Sequence, residues 1–520
     1  MAVTDLPSVT RARSFEDQDN SGLARKMFLA AVVGGVALRL IAAIFGDVGV
    51  YADGASRIAL AISWADHPSW QGLSGVWPPL HWYFLGTLID VWNHPILLAK
   101  AITLALSIGT IFVFRAAVRS CFNSLVGAMS ALLLAISWSH IWLTSSYWVE
   151  IPYLFFVILA VRFAYRSIAS GRTLDLHFAG LSFALAMLLR HEGSLMMPVA
   201  LAWYVLMTRD WRRALRLAWA PAVILICCVL EPFLRGHTYF EYFTSVAEMK
   251  VAENLVQGLS VQDCLRQWVL MLGASPTVLV VVPGLFGLYR RRSRIRTDVF
   301  AWMFLAQFAF YFVMTIGLGW RPQMRYLLLC VVNLLPYAAL GWLEIIERFS
   351  KRYALAALIS LTIVIQSAGW WIGRNNMLAY GWLPVQVVTS SQREMDKWIG
   401  SLESQGLSKL SVVSIAPAAL DDRWSVVHSA LANDIHLSRS GLDEVHVYID
   451  REILAGELPP RVQAADVVLI DPRMSFYPGF VEALKQVKPR ATITLIHPDI
   501  AVLLVSGRAL ELAGPIAQLR

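Results

Sequence analysis

Long apolar runs, separated by short polar clusters, make up residues 27–373 of the chain. The hydrocarbon core of a bilayer is about 30 Å thick, and a helix needs about 20 residues to cross it. On that scale the pattern predicts about eleven membrane spans, several of them short. The predicted spans are residues 27–46, 95–114, 125–143, 151–165, 175–189, 194–208, 217–234, 269–289, 298–319, 326–346 and 353–373.

Basic residues between these runs set the predicted orientation, because Arg and Lys concentrate in cytoplasmic loops. The basic residues before the first span predict that residues 1–26 lie in the cytoplasm. Their polar, mixed-charge composition predicts a disordered tail. Residues 77–92 are apolar enough for a further span, but that crossing would put every later basic cluster outside. Their Trp, Tyr and His content suits a helix in the interface. We therefore predict an interfacial helix at 77–92, within a first outer loop of residues 47–94.

The pattern changes from about residue 374. Apolar runs shorten to strand length and alternate with helical patterns, which is typical of a small α/β domain. The strand-like runs are residues 411–415, 445–449, 467–470 and 493–496. The order of the spans places this predicted soluble domain, residues 374–520, on the extracytoplasmic side.

Composition narrows the class of protein. The 520 residues are 57% hydrophobic and 15% charged, with a mean hydropathy of +0.57, whereas soluble proteins carry about 25% charged residues. The fold class predicted is therefore a polytopic α-helical membrane protein. The net charge of +8 comes from short clusters between apolar runs, which argues against nucleic acid as a partner. The five cysteines show neither a disulfide framework nor a zinc spacing.

Two carboxylates stand at the outer ends of predicted spans. Asp53 lies in the stretch 51–61 that directly follows the first span, and Glu150 recurs at the edge of a later one. A carboxylate beside an apolar surface can take the proton of an acceptor hydroxyl near neutral pH. The alternatives are an N-cap for Asp53, on a helix that starts near Ala55, and a solvated span end for Glu150. The N-cap and the base are compatible, and we interpret both acids as lying over a lipid-linked substrate.

The first outer loop carries two motifs that resemble a known class of enzyme. They are Tyr-x-Asp-Gly-x-x-Arg at residues 51–57 and Trp-Pro-Pro-Leu-His-Trp-Tyr at residues 77–83. With the preceding span they resemble the GT-C class of membrane glycosyltransferases, in particular the branch of the protein O-mannosyltransferases and the aminoarabinose transferases that modify lipid A. The resemblance implies that Asp53 is the catalytic aspartate and that a sugar leaves a polyprenyl-phosphate carrier with inversion. It covers roughly residues 27–373, and no motif covers the C-terminal part.

Two further outer segments match the class in part. Glu150, before Pro152, resembles the acid of the second outer loop, which is often Asp, and its implied role is to orient the acceptor or assist the base. Arg-His-Glu-Gly at residues 190–193 resembles an Arg-Pro-Glu-Gly turn, with His in place of Pro. Arg190 and Glu192 then either line the carrier cavity or form a polar cap on a hairpin.

Outward-facing arginines are candidates for binding the carrier phosphate. Arg321, Arg325 and Tyr326 precede a Leu-rich span, and in the class an Arg-Tyr pair at this place lies near the carrier phosphate. A leaving phosphate needs a fixed cation, and a guanidinium offers a planar fork of donors. The alternative is an ordinary arginine at the membrane interface. Arg57 and His81 are further candidates for contact with the phosphate or the sugar.

No cofactor is supported by the residue pattern. The first outer loop has no Asp-x-Asp, in contrast to metal-dependent oligosaccharyltransferases of the class. A divalent cation is therefore unsupported, although the sequence does not exclude one.

The predicted function is that of an inverting glycosyltransferase of the cytoplasmic (inner) membrane. It would pass a sugar from a polyprenyl-phosphate carrier to a glycan, lipid or protein acceptor at the extracytoplasmic face, in contact with membrane lipids. The alternative is a transporter or flippase of a lipid-linked sugar, which predicts pseudo-symmetric halves and charges deep within spans. The sequence shows neither internal repeats nor an array of charges deep within the spans. A third hypothesis is a non-catalytic scaffold that works through its C-terminal domain.

Overall fold

The computed structural model of the protein describes most of the chain up to residue 348 and parts of the rest. The described residues are 17–45, 57, 60–61, 64–65, 68, 78–92, 95–145, 149–234, 260–274, 278–318, 324–348, 412–415, 446–447, 467–470, 477–497 and 500–504.

Helices dominate the described part up to residue 348. In chain order they are α1 (Asp17–Phe45), α2 (Leu80–Val91), α3 (Pro95–Cys121), α4 (Ser124–Ala135), α5 (Trp138–Ser145), α6 (Glu150–Ser170), α7 (Thr173–Met187), α8 (Glu192–Thr208), α9 (Trp211–Leu234), α10 (Val261–Ala274), α11 (Val278–Arg290), the 3₁₀ helix η1 (Arg292–Thr297), α12 (Val299–Leu318) and α13 (Met324–Arg348).

Six of the described helices contain a segment long and apolar enough to cross a membrane, and each overlaps a predicted span. The segments are Ser21–Ile44, Leu97–Cys121, Glu150–Ser170, Trp211–Leu234, Val299–Gly317 and Leu328–Glu347. Shorter apolar helical segments accompany them at Ser124–Ala135, Thr173–Met187 and Leu279–Arg290. The protein is therefore a multi-pass membrane protein.

Several boundaries differ from those predicted. The span predicted at 125–143 is two helices, because α4 ends before Ile136 and α5 begins at Trp138. The span predicted at 353–373 lies outside the described residues, so the total of about eleven stays a prediction. At the other end, α1 already begins at Asp17, ten residues before the predicted start of the first span.

Helix α2 lies where the interfacial helix was predicted. It has 12 residues, which at 1.5 Å per residue is a length of about 18 Å. That is well short of the roughly 30 Å hydrocarbon core. Its length agrees with the prediction that residues 77–92 do not cross the membrane, and its orientation in the interface stays a prediction.

The buried face of α1 organises its neighbours. Ala31, Gly35, Arg39 and Ala42 recur every three or four residues and are all buried, so they share one side of the helix. This side packs against α3, α4 and α5. Small residues let the backbones approach closely, and the long side chain of Arg39 lies among them.

Arg39 joins α1 to the three helices it packs against. The residue is fully buried, and its guanidinium uses five acceptors. These are Ser107 Oγ at 2.7 Å, His140 Nδ1 at 2.8 Å and the carbonyl oxygens of Gly35, Ala135 and Leu134 at 3.0, 2.9 and 3.2 Å. Two of these carbonyl groups, those of Leu134 and Ala135, belong to the last turn of α4. In a longer helix they would accept hydrogen bonds from the next turn, but here the guanidinium of Arg39 donates to them. The predicted span at 125–143 is interrupted at this turn.

The described C-terminal residues form a mixed five-stranded sheet and a helix. The elements are β1 (Val412–Ile415), β2 (His446–Val447), β3 (Val467–Ile470), α14 (Tyr477–Val487), β4 (Thr492–His497) and β5 (Ile500–Leu504). The strand order is β2-β1-β3-β5-β4, in which β1 pairs in parallel with β2 and β3, while β5 is antiparallel to β3 and β4. Strands β1 to β4 overlap the four predicted strands, whereas β5 was not predicted. The placement of an extracytoplasmic α/β domain at 374–520 stays a prediction.

Replacing Arg39 tests whether its hydrogen bonds hold the first helices together. We expect Arg39→Ala to lower the free energy of unfolding in detergent by about 3 kcal/mol or more, because several buried acceptors lose their donor. The matched control is Arg25→Ala, at an exposed position of the same helix, for which we expect a change within about 0.5 kcal/mol. Equal stability of the two variants would contradict this account of the α1 packing.

Candidate functional site

The described candidate residues gather where three helices begin. Glu150 is the first residue of α6, Glu192 is the first of α8, and Arg325 is the second of α13. The N-terminal end of a helix carries a partial positive charge, which stabilises a carboxylate there. Arg190 lies between α7 and α8, and the three helix ends meet around it.

Arg190 is held between two buried carboxylates. Its Nη1 donates to Glu150 Oε1, and its Nε and Nη2 donate to the two carboxylate oxygens of Glu192 at 3.1 and 2.5 Å. The hydroxyl of Tyr311, on α12, donates to Glu192 Oε1 at 2.9 Å. The side chain of Glu150 is fully buried, and those of Arg190 and Glu192 are each 10% exposed. Such two-pronged, charge-assisted bonding fixes the plane of the guanidinium.

This pairing sets the charge state of Arg190 and Glu192. Burial by itself lowers the pKa of Arg190, but the charges of Glu192 and Glu150 outweigh it and hold that pKa well above its ordinary value. Burial by itself raises the pKa of Glu192, but the charge and hydrogen bonds of Arg190, with the Tyr311 hydroxyl, lower it to about 2. Both groups are therefore ionised throughout the physiological pH range.

Arg325 approaches Glu150 from α13. Its Nε lies 3.9 Å from Glu150 Oε1, which is too long for a hydrogen bond, and its side chain is 14% exposed. Its Nη2 donates to the hydroxyl of Tyr326 at 3.1 Å. The ring of Tyr326 stacks on that of Tyr311, with centroids 5.4 Å apart, and the first turn of α13 is thereby fixed against α12. We call Glu150, Arg190, Glu192 and Arg325 the ion-pair cluster.

The two oxygens of Glu150 have different surroundings. Oε1 faces the guanidinium groups of Arg190 and Arg325. Oε2 is buried and makes no hydrogen bond within the part of the chain that the structure describes. A buried carboxylate oxygen without a donor is costly. Oε2 is therefore an acceptor whose bonding capacity the described residues leave unused.

The segment between α1 and α3 contributes Arg57 and His81 from its described residues. They are 4% and 3% exposed. Burial first, and then the positive charge of Arg57, hold the pKa of His81 well below its ordinary value, so its imidazole is neutral at pH 7. The amide of Leu80 donates to the carbonyl of Leu188 at 3.0 Å. That bond ties the start of α2, beside His81, to the turn that carries Arg190.

Helix α2 also packs closely on the segment before it. A Cβ added at Gly86 would lie 2.6 Å from the ring of Trp64 and 2.7 Å from the carbonyl oxygen of Ala61. The rings of Trp64 and Tyr83 lie 5.1 Å apart. Only glycine permits this approach, which fixes the described part of the loop against α2.

Two predicted site residues, Asp53 and Arg321, lie outside the described residues. Their roles stay predictions. Among the residues that the structure describes, no group of three or more His, Cys, Asp or Glu side chains is placed to hold a metal ion. The carboxylates of the ion-pair cluster face arginines instead.

Comparison with known families matches the part of the chain that holds most of the ion-pair cluster. The family model described as dolichyl-phosphate-mannose-protein mannosyltransferase matches residues 77–234. That region includes His81, Glu150, Arg190 and Glu192. No curated protein matches the chain.

Solved structures establish the fold. ArnT from Cupriavidus metallidurans, in its apo state, is 12% identical over 94% of this chain and 99% of that chain, with a TM-score of 0.52. The oligosaccharyltransferase AglB from Archaeoglobus fulgidus, in complex with an inhibitory peptide and a dolichol-phosphate, is 11% identical over 90% of this chain and 72% of that chain, with a TM-score of 0.50. Both are GT-C glycosyltransferases. The chain has the GT-C fold. The resemblance drawn from its outer loops is thereby confirmed.

Within this GT-C fold the structure adds polar residues that the sequence analysis missed. Gln307, Tyr311 and Thr315 are buried on α12, and Asn333 on α13 donates to Gln307 Oε1 at 2.8 Å. Gln307 in turn donates to the hydroxyl of Tyr153 at 3.5 Å. The residues on α12 are spaced by four, which places them on one side of the helix. Polar residues at this spacing within a predicted span were the sequence pattern that could have indicated a buried polar side of the helix.

Removing Arg190 tests the ion-pair cluster. Arg190→Met leaves two buried carboxylates without their main cation, and we expect the free energy of unfolding in detergent to fall by about 3 kcal/mol or more. The matched control is Arg213→Met, on α9, where the side chain is 40% exposed. Adding Glu150→Gln and Glu192→Gln to Arg190→Met removes the buried charges, and we expect part of the stability to return. Wild-type stability of Arg190→Met would show that the pairing does not hold the turn.

His81 predicts a pH dependence of stability. Because its pKa is depressed in the folded chain, the unfolded chain takes up a proton below about pH 6.5 that the folded chain does not. The contribution of neutral His81 to stability is therefore complete above about pH 6.5 and is lost as the pH falls toward the lower folded pKa. We expect the free energy of unfolding to decrease from pH 7.5 to pH 5.5, and this slope to flatten in His81→Gln. Equal slopes in denaturant titrations of the two proteins would contradict the assignment.

Proposed function

We propose that the protein transfers a sugar from a polyprenyl-phosphate carrier to an acceptor hydroxyl, with inversion at the anomeric carbon. The observation that carries the proposal is the buried ion-pair cluster at the start of three helices of a GT-C fold. Paired charges at the end of apolar helices are costly to build and mark functional sites in membrane proteins. The match of residues 77–234 to a mannosyltransferase family supports the reaction class.

Arg325 is the proposed cation for the carrier phosphate. Arg190 already directs Nε, Nη1 and Nη2 to carboxylates, which makes it a positioning residue. Arg325 instead lies 3.9 Å from Glu150, and 14% of its side chain is exposed. When the bond between the anomeric carbon and the phosphate oxygen breaks, its electron pair stays on the phosphate. Arg325, with Arg321, would stabilise that charge.

Asp53 is the proposed general base. It would take the proton of the acceptor hydroxyl while the acceptor oxygen forms its bond to the anomeric carbon on the face opposite the leaving phosphate. Glu150 would orient the acceptor, because its buried Oε2 can accept a hydrogen bond from that hydroxyl. Both carboxylates would act on the acceptor hydroxyl, and neither would form a bond to the sugar.

Arg57 and His81 are proposed to bind the donor from the first outer loop. Arg57 adds a positive charge beside the site. A neutral imidazole can donate and accept hydrogen bonds to sugar hydroxyls without adding a further charge. The Leu80–Leu188 bond supports this role, since it joins the start of α2 to the Arg190 turn.

The proposed location of the reaction is the extracytoplasmic face of the cytoplasmic membrane. The predicted orientation puts Asp53, Glu150, Arg190 and Arg325 on that side and the N-terminus in the cytoplasm. The acceptor is a glycan, a lipid or a protein, and residues 374–520 are proposed to take part in its selection.

Release of the carrier tests the proposal. Full-length protein in detergent is given radiolabelled polyprenyl-phosphate sugars, with mannose, arabinose and galacturonic acid among them, and the release of polyprenyl phosphate is followed. We expect wild type to release it and Asp53→Asn not to, while Asp90→Asn, at an exposed position of α2, behaves as wild type. Arg325→Gln is expected to lower kcat by about 10²–10³-fold, as for other donors that stabilise a developing negative charge.

Each outcome of this assay distinguishes between two interpretations of the site. Release that Asp53→Asn does not change would remove Asp53 from the mechanism and leave the transferase. Tight binding of the carrier without release, for every donor, would favour the transporter of a lipid-linked sugar. An equal loss in Asp53→Asn and Asp90→Asn would point to a general effect on folding, which unfolding midpoints of the variants would reveal.

A further inference from the structure

A second group of arginines, on α3 and α6, lies far from the ion-pair cluster. Arg162 is on α6, which begins at Glu150, and at 1.5 Å per residue it lies about 18 Å from that glutamate along the helix. Arg115 and Arg119 lie toward the C-terminal end of α3. The charge pattern of the sequence predicts this end of the helices to be cytoplasmic.

These three arginines line one cavity. Its volume is about 320 Å³, and Ala116 and Ser120 complete the lining, so that none of the lining residues is acidic. Arg162 donates from Nη1 to the hydroxyl of Ser120 at 2.6 Å. The walls therefore present three positive charges and no carboxylate.

Arg115 is held in place with part of its bonding capacity unused. Its guanidinium lies over the ring of Phe28, 4.0 Å from the centroid. Its Nε is buried and makes no hydrogen bond within the described residues. A buried donor on a charged group costs free energy unless a partner satisfies it.

The acid that faces this region from α7 is already engaged. Asp175 lies 3.4 Å from Arg166 and accepts a hydrogen bond from Ser170 at 3.1 Å. Arg166 lies one turn beyond Arg162 on α6, so the one carboxylate of Asp175 serves both arginines. A single carboxylate does not balance the three arginines of the cavity, which leaves positive charge for an anion.

We propose that this cavity binds a phosphate group, carried by an anionic phospholipid headgroup or present as free phosphate. Three guanidinium groups match the several acceptor oxygens of a phosphate. Basic pockets between membrane helices on the cytoplasmic side bind anionic headgroups in this way. Arginines that only reach the interface would keep their donors in water, whereas Arg115 Nε is buried and unpartnered among the described residues.

The test measures binding without any use of catalytic activity. Full-length protein is placed in nanodiscs of phosphatidylcholine with or without phosphatidylglycerol, and lipids retained after extraction are counted by native mass spectrometry. A separate arm adds inorganic phosphate to lipid-free protein in detergent. The unfolding midpoint is recorded in each condition for wild type, Arg115→Gln and Arg119→Gln. Arg119 is exposed, so its replacement tests the site without emptying the helix packing.

The matched control is Arg213→Gln, which removes one positive charge from an exposed arginine that pairs with Asp210. We expect phosphatidylglycerol to raise the unfolding midpoint of wild type and of the control, and its affinity to fall about tenfold in both cavity variants. A shift with inorganic phosphate alone would assign the site to free phosphate. No shift in either arm, or the same response in cavity variants and control, would overturn the proposal.

Discussion

The pairing of one guanidinium with two buried carboxylates is the interaction on which the candidate site depends. Burying a carboxylate is costly unless it is paired, and Arg190 donates hydrogen bonds to both Glu150 and Glu192. The turn that holds it is tight, since a Cβ added at Gly193 would lie 2.7 Å from the amide nitrogen of Met187. Helices α6 and α8 can therefore each begin with a buried acid.

Because of this pairing, Arg190 and Arg325 have different surroundings in the ion-pair cluster. Two glutamates and two arginines make the ion-pair cluster neutral overall, so an arriving phosphate adds a charge that the cluster does not balance. Arg190 cannot turn toward it without abandoning a buried carboxylate. Arg325 contacts Glu150 at the longer distance of 3.9 Å, and its side chain is partly exposed. For this reason we propose Arg325, and not Arg190, as the residue that meets the phosphate.

Much of the site could be predicted from the order of spans alone. Once the basic clusters had set the orientation, Glu150, Arg190 and Arg325 all fell at span ends on one face, although they are distant in the chain. Which of them would pair could not be predicted, because a charged turn at residues 190–193 is equally compatible with a solvated cap. The turn is part of a buried pair because Tyr311 donates to Glu192 and because Glu150 is fully buried. Both features depend on how α12 and α6 pack.

The missed features have a common physical cause. The break between α4 and α5 depends on Arg39, whose guanidinium reaches Ala135 from another helix. The apolar pattern of residues 125–143 does not indicate that an arginine from another helix donates hydrogen bonds there. Likewise Gln307 and Asn333 satisfy each other across two helices, so each looks like an isolated polar residue in an apolar run. Buried polar groups find partners by tertiary contact, and hydropathy along one segment cannot reveal the partner.

Helix α6 contributes a residue to each of two groups of charged side chains, and the two groups differ in their charge balance. At its first residue, Glu150 meets arginines from other segments, and the balance is internal to the chain. Farther along, Arg162 lines a cavity whose other charged residues, Arg115 and Arg119, have the same sign. Like charges repel, so an anion in this cavity, as we propose, would stabilise the second arrangement. The two groups of charges therefore differ, because the first is balanced by residues of the chain and the second leaves positive charge for a ligand.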